Sequence, residues 1–74
     1  MKAEVLISFG SHLRSIRLNK NLSQVELAYK GGFDRNYIGM LERGERNPSL
    51  INLVRLSKAL NIQLKDLLDF KTIK

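Results

Sequence analysis

The sequence predicts an all-α fold, a bundle of five short helices. Three observations carry that expectation. Apolar residues recur at helical spacing, short breaks divide the chain into five segments, and no segment shows the alternation of a strand. The breaks fall at residues 19–21, at Gly31 and Gly32, at residues 44–48 and at Asn61. With 74 residues and no cysteine, the chain is expected to be a single domain, residues 1–74, without disulfide or thiolate–metal staples. Its small core must be held by well-packed helices, by self-association, or by both.

Phe9, Leu13 and Ile16 lie at i, i+4 and i+7, one stripe on a first helix expected over about residues 8–20. Asn21 follows as a candidate left-handed stop. Ser23 reads as the N-cap of a second helix, and Glu26 three residues on completes a capping box. Leu27 and Ala28 face inward on that helix. Gly31 and Gly32 end it, because a tight turn uses positive φ and glycine adopts that at little cost. Asp34 caps a third helix running to about Arg43, with Ile38 and Leu41 as its buried pair. Ser49 caps a fourth, which carries Leu53, Leu56 and Leu60 on one face and stops at Asn61. A fifth helix, about residues 64–70, carries Leu64, Leu67 and Leu68.

Charge bounds the partner. Thirteen Lys and Arg against seven Asp and Glu leave a net +6, an excess that favours a polyanion such as nucleic acid. The basic residues are spread along the chain, so no polybasic run suggests a membrane patch. Near the start, Val5, Leu6 and Ile7 form the only apolar run, too brief for a signal core or a membrane span. A cytoplasmic protein with no membrane contact is expected. His12 is a lone histidine without metal-spaced companions, and is expected to be a solvated surface residue. With no glycine-rich phosphate loop and no catalytic constellation, enzyme chemistry is not expected, and no cofactor is implied.

Two helices joined by a short glycine-containing turn make a helix-turn-helix, here about residues 23–43. In that motif the second helix lies in the major groove, with its N-terminal side chains at the base edges. With Ile38 and Leu41 inward, its outer face holds Arg35, Asn36, Gly39, Met40 and Arg43. Arginine bonds bidentately to guanine and asparagine to adenine, so the helix opens with the two side-chain types best suited to reading bases. Gly39 costs about 1 kcal/mol of helix propensity relative to alanine, which a close-approaching surface would explain.

The stretch "LSQVELAYKGGFDRNYIGMLERGERNPSLINLVRLSKALNI" resembles the helix-turn-helix family of the phage repressors and Cro, a lambda-repressor-like fold. Within it, "AYKGGFDRNYIGMLERGERNPSL" is most similar to the controller proteins of restriction-modification systems. The resemblance spans about residues 9–70. It rests on Leu22-Ser23-Gln24, Leu27-Ala28, Gly32, Ile38, Leu41-Glu42-Arg43-Gly44, Asn47-Pro48-Ser49 and Ala59-Leu60, in order and at family spacing. Met40 is bulkier than the small residues common there in controllers. Asn21 and Asn61 stand where glycine is common, and Gln63 where a stronger N-cap is usual.

The resemblance implies roles. Gln24 bonds a phosphate while steadying the third helix, Arg35 and Asn36 hold the base-reading positions, and Met40 holds a third. Tyr37, Arg43, Arg46 and Asn47 match residues at the DNA backbone, Arg46 with reach to a base. Arg17 and Glu42 match a partly buried ion pair between the first and third helices. The implied function is a sequence-specific transcriptional regulator, bound as a homodimer to a near-palindromic double-stranded DNA operator, with RNA polymerase as a further partner. The fifth helix looks more apolar than closing so small a core requires. Leu67 is expected to pack inward with Ile62, leaving Leu64, Leu68 and Phe70 for a dimer interface. The alternatives are an antitoxin or phage-type repressor of the same fold, and a protein-interaction or RNA-binding module that does not read DNA.

Overall fold

The computed structural model describes residues 2–72, and among them every regular element is helical. The helices are α1 (Lys2–Asn19), α2 (Gln24–Gly31), α3 (Arg35–Glu42), α4 (Leu50–Ala59) and α5 (Leu64–Leu67). The first helix starts six residues earlier than expected. Its opening residues are good helix formers, and Glu4 in the first turn suits the positive end of the helix dipole. The last helix is one turn, shorter than expected, because the backbone leaves the helix at Leu68 and so brings Phe70 back onto α1.

The stops and starts follow local chemistry. Asn21 and Asn61 take left-handed φ of 58° and 57°, the conformation asparagine tolerates best after glycine. Ser23 Oγ accepts from Glu26 N at 3.0 Å, and Ser23 N donates to Glu26 Oε1 at 2.8 Å. The backbone N–H of Ser23 thereby holds the Glu26 carboxyl below the usual range. Asp34 and Ser49 cap α3 and α4 in the same way, accepting from Asn36 N and Asn52 N. In the turn between α2 and α3 the work of the two glycines divides. Gly32 supplies the left-handed φ of 71°. Gly31 is still helical, and its role is room: a Cβ there would stand 2.4 Å from the Phe33 ring.

The core is one layer shared by all five helices: Phe9 and Leu13 from α1, Leu27 and Ala28 from α2, Ile38 and Leu41 from α3, Leu56 with the capping Leu60 from α4, and Leu67 from α5. Truncating any of these leucines to alanine should cost about 2–5 kcal/mol. Helices α1 and α3 pack directly, and Gly10 lies in their contact. A Cβ on Gly10 would lie 2.4 Å from the Leu41 carbonyl oxygen and 2.6 Å from that of Glu42. The C-terminal turn of α3 is therefore seated against the backbone of α1.

His12 is not a solvated side chain. It is half-buried, its Nε2 lies 2.9 Å from the Asp66 carbonyl oxygen, and its ring sits beside Phe70. It pins the short α5 to α1.

Candidate nucleic-acid interface

Arg35 and Asn36 are the first two residues of α3, both exposed. Among the described residues neither side chain has a hydrogen-bond partner. One turn on, Met40 is half-buried, with its sulfur 4.0 Å from Arg46 Nη1. Asn47 is exposed on the loop between α3 and α4. The outer side of α3 and the loop after it thus present arginine and amide groups with few internal commitments.

The flank of α3 that faces α1 and α2 is held by one buried carboxylate. Glu42 accepts from Arg17 Nε at 2.5 Å, from Arg17 Nη2 at 3.0 Å and from Gln24 Nε2 at 3.0 Å. The Arg17 side chain is 7% exposed and that of Glu42 3%. The third nitrogen of Arg17 donates to the Leu22 carbonyl at 2.8 Å, tying in the loop before α2. The hydrogen bonds to Glu42 hold the guanidinium charged still more firmly than usual, against the opposing effect of burial. Glu42 so joins α1, α2 and α3, and Gln24 is steadied by it.

Gly39 lies under side chains of this flank. A Cβ there would come 3.1 Å from Arg43 Nη1 and 3.4 Å from Gln24 Oε1. The glycine leaves space for Gln24 and Arg43 to cross α3. Arg43 pairs with Glu45 through contacts of 2.8 and 3.2 Å, on the exposed surface. The guanidinium holds the Glu45 carboxyl below the usual range. An ion pair this exposed is worth little, so Arg43 can exchange Glu45 for another anion at small cost.

The opposite flank contains what the sequence did not indicate. Arg55 of α4 donates to the Gly31 and Gly32 carbonyls from Nη2 at 2.8 and 2.7 Å, and from Nε to Gly31 at 3.3 Å. It satisfies carbonyls left open at the end of α2 and lies over the Phe33 ring, 4.2 Å from its centre. Arg55 Nη1 also donates to Asn52 Oδ1 at 3.2 Å, and Asn52 Nδ2 donates to the Tyr37 hydroxyl oxygen at 3.0 Å. Tyr37 stacks on Phe33 with ring centres 5.3 Å apart, and the Arg46 guanidinium sits 5.5 Å from the Tyr37 ring centre.

In and just after α5, Leu68 is 43% exposed, while Leu64 and Phe70 are half-buried within the single chain. Phe70 meets Phe9 edge-on at 5.9 Å, so much of its ring is already committed to the core. More apolar surface stands elsewhere: Leu50 and Ile51, at the start of α4, are 67% and 73% exposed.

The helix-turn-helix family matches residues 13–67. Control protein C.BamHI of Bacillus amyloliquefaciens is 50% identical, over 99% of this chain and 91% of its own. Control protein C.SmaI of Serratia marcescens is 46% identical, over 88% of this chain and 77% of its own. Among solved structures, the restriction-modification controller protein C.AhdI from Aeromonas hydrophila superposes with a TM-score of 0.82 at 48% identity, covering 84% of this chain and 94% of that one.

Proposed function

Because the chain belongs to the helix-turn-helix family, among the controller proteins of restriction-modification systems, we propose that it regulates transcription by reading a near-palindromic DNA operator through α3. It is a DNA-binding transcriptional regulator of that class. The observation that carries the reading mechanism is the exposed, unengaged pair Arg35 and Asn36 at the start of α3. Placed in a major groove, Arg35 would bond guanine O6 and N7 and Asn36 would bond adenine N6 and N7, with Met40 at the third base-facing position. Gln24, Tyr37, Arg43, Arg46 and Asn47 surround that helix and would fix it by phosphate contacts.

A helix of eight residues is about 12 Å long at 1.5 Å per residue and can read only a few base pairs. Two copies related by a two-fold axis double the site and set half-sites about 34 Å apart, one turn of B-DNA. The homodimer is part of this proposal, with Leu68 and the exposed edges of Leu64 and Phe70 as its surface.

The test is a duplex selected by the protein from a random-sequence pool. Arg35→Ala should cost about 1–3 kcal/mol on that duplex and relax one base position in each half-site. Arg43→Ala should weaken operator and unrelated DNA alike and flatten the salt dependence. Equal losses for Arg35→Ala on operator and unrelated DNA would exclude direct readout.

A further inference from the structure

Tyr37, Asn52 and Arg55 form a chain of hydrogen bonds whose direction is fixed by chemistry. A guanidinium only donates, so the atom of Asn52 facing Arg55 Nη1 at 3.2 Å must be the amide oxygen. The amide nitrogen then faces Tyr37, 3.0 Å from its hydroxyl oxygen, and an amide nitrogen also only donates. The Tyr37 oxygen is therefore an acceptor in this contact. Its own proton has to point elsewhere, and among the described residues no acceptor for it is present.

Arg55 cannot easily turn to break this order. Three of its contacts go to the Gly31 and Gly32 carbonyls in the helix-turn-helix turn, and its face lies on Phe33. Tyr37 is likewise held by its stack on Phe33. Tyr37 lines a shallow groove together with Met40, Arg46 and Arg55, in which Asp34 is the one acidic side chain. That environment suits an anion.

We propose that Asn52 and Arg55 are positioning residues for DNA binding: by donating along the chain they turn the Tyr37 hydroxyl proton outward, toward a DNA phosphate oxygen. This rests on the operator-binding reading above and adds two residues of α4 to it. The energetic point is orientation. An unconstrained phenol could accept or donate, whereas this one is preset as a donor before DNA arrives.

Asn52→Asp tests the direction. A carboxylate oxygen in place of Nδ2 can only accept, so Tyr37 must donate inward and lose its proton for phosphate. The exchange is nearly isosteric, and a carboxylate in the first turn of α4 suits the helix dipole, so the variant should fold. Binding is measured for wild type, Tyr37→Phe, Asn52→Asp and the double variant, on the duplex that wild type selects from a random pool. The cycle removes the general repulsion of the added negative charge. Tyr37→Phe should weaken binding about tenfold in the wild-type background, the effect of one hydrogen bond to a charged acceptor, and less than about twofold in the Asn52→Asp background. The same loss in both backgrounds, or none in either, would overturn the proposal.

A second readout needs no DNA. In mixed H2O/D2O, the Cζ resonance of Tyr37 in the free protein should be one averaged line in wild type, because an outward hydroxyl exchanges fast with solvent. It should split in Asn52→Asp, where the proton is held by the carboxylate. A split line already in wild type refutes the outward proton. If wild type selects no common sequence, the operator reading falls, and this spectrum still decides the direction of the hydroxyl.

Discussion

Breaking the Arg17–Glu42 pair should bring the protein to the edge of unfolding. A domain of 74 residues has a total stability of roughly 4–11 kcal/mol at 0.05–0.15 kcal/mol per residue. Arg17→Ala would leave the Glu42 carboxylate, with a side chain only 3% exposed, to the single remaining donor Gln24. Glu42→Ala would leave a guanidinium that is 7% exposed with only the Leu22 carbonyl. Removing one partner of such a pair costs about 3–5 kcal/mol, because the other charge stays out of water without compensation. With a urea dependence near 1 kcal/mol per molar for so small a protein, even the low figure moves the unfolding midpoint down by about 3 M.

Urea titration followed by circular dichroism reads this directly. Arg17→Met with Glu42→Leu should recover much of the loss, since the cost of a lone buried charge disappears when both are replaced by apolar side chains of similar size. If both single alanine variants keep the wild-type midpoint within about 0.3 M, the pair contributes nothing and the reasoning from burial is wrong.

Two further outcomes are expected. Leu68→Glu should shift sedimentation at micromolar concentration from dimer to monomer, and the operator affinity should fall with it. If Leu50→Glu or Ile51→Glu does this while Leu68→Glu does not, the dimer forms through the start of α4 instead, and a wild type that sediments as a monomer removes the dimer altogether. Two of the glycines within helices, Gly10 and Gly39, should respond oppositely to alanine. Gly10→Ala drives a Cβ into two backbone carbonyls that cannot move aside, and should cost about 1–3 kcal/mol or more. Gly39→Ala meets only the ends of Gln24 and Arg43, so thermal stability should hold or rise by up to about 1 kcal/mol. DNA affinity should drop, because both side chains must shift, and unchanged affinity would show that their crossing of α3 does not matter for binding.

The elements with strong local signals were legible in the sequence. Ser23 with Glu26, Asp34, Ser49, Asn21 and Asn61 mark boundaries because a cap or a left-handed stop depends on residues next to one another in the chain. The start of α1 was not legible: Val5, Leu6 and Ile7 read as a short apolar run rather than a helix. The short α5 and the bond from His12 to Asp66 depend on contacts across more than fifty residues, which no local pattern records. The same holds for Arg55. On α4 it looks like an ordinary basic residue three positions after Asn52, and its partners Gly31 and Gly32 are 24 and 23 residues away.

A recognition helix poses a physical problem that an ordinary core helix does not. If α3 reads DNA as proposed, one face must be left polar and open, so apolar packing grips it mainly from behind, through Ile38 and Leu41 with Tyr37 at the edge. So narrow an apolar grip resists rocking of an eight-residue helix about its own axis only weakly. Here polar contacts restrain that motion from both sides. Arg17 and Gln24 converge on Glu42 at the C-terminal end, while Asn52 holds Tyr37 near the N-terminal end. Hydrogen bonds fix angle as well as distance, which apolar contacts do not. The two networks also attach α3 to different helices, α1 and α2 through Glu42 and α4 through Tyr37. A substitution in either network should thus lower specificity more than nonspecific affinity, since a rocking helix keeps its charges near the phosphates but loses the alignment of Arg35 and Asn36 with base edges.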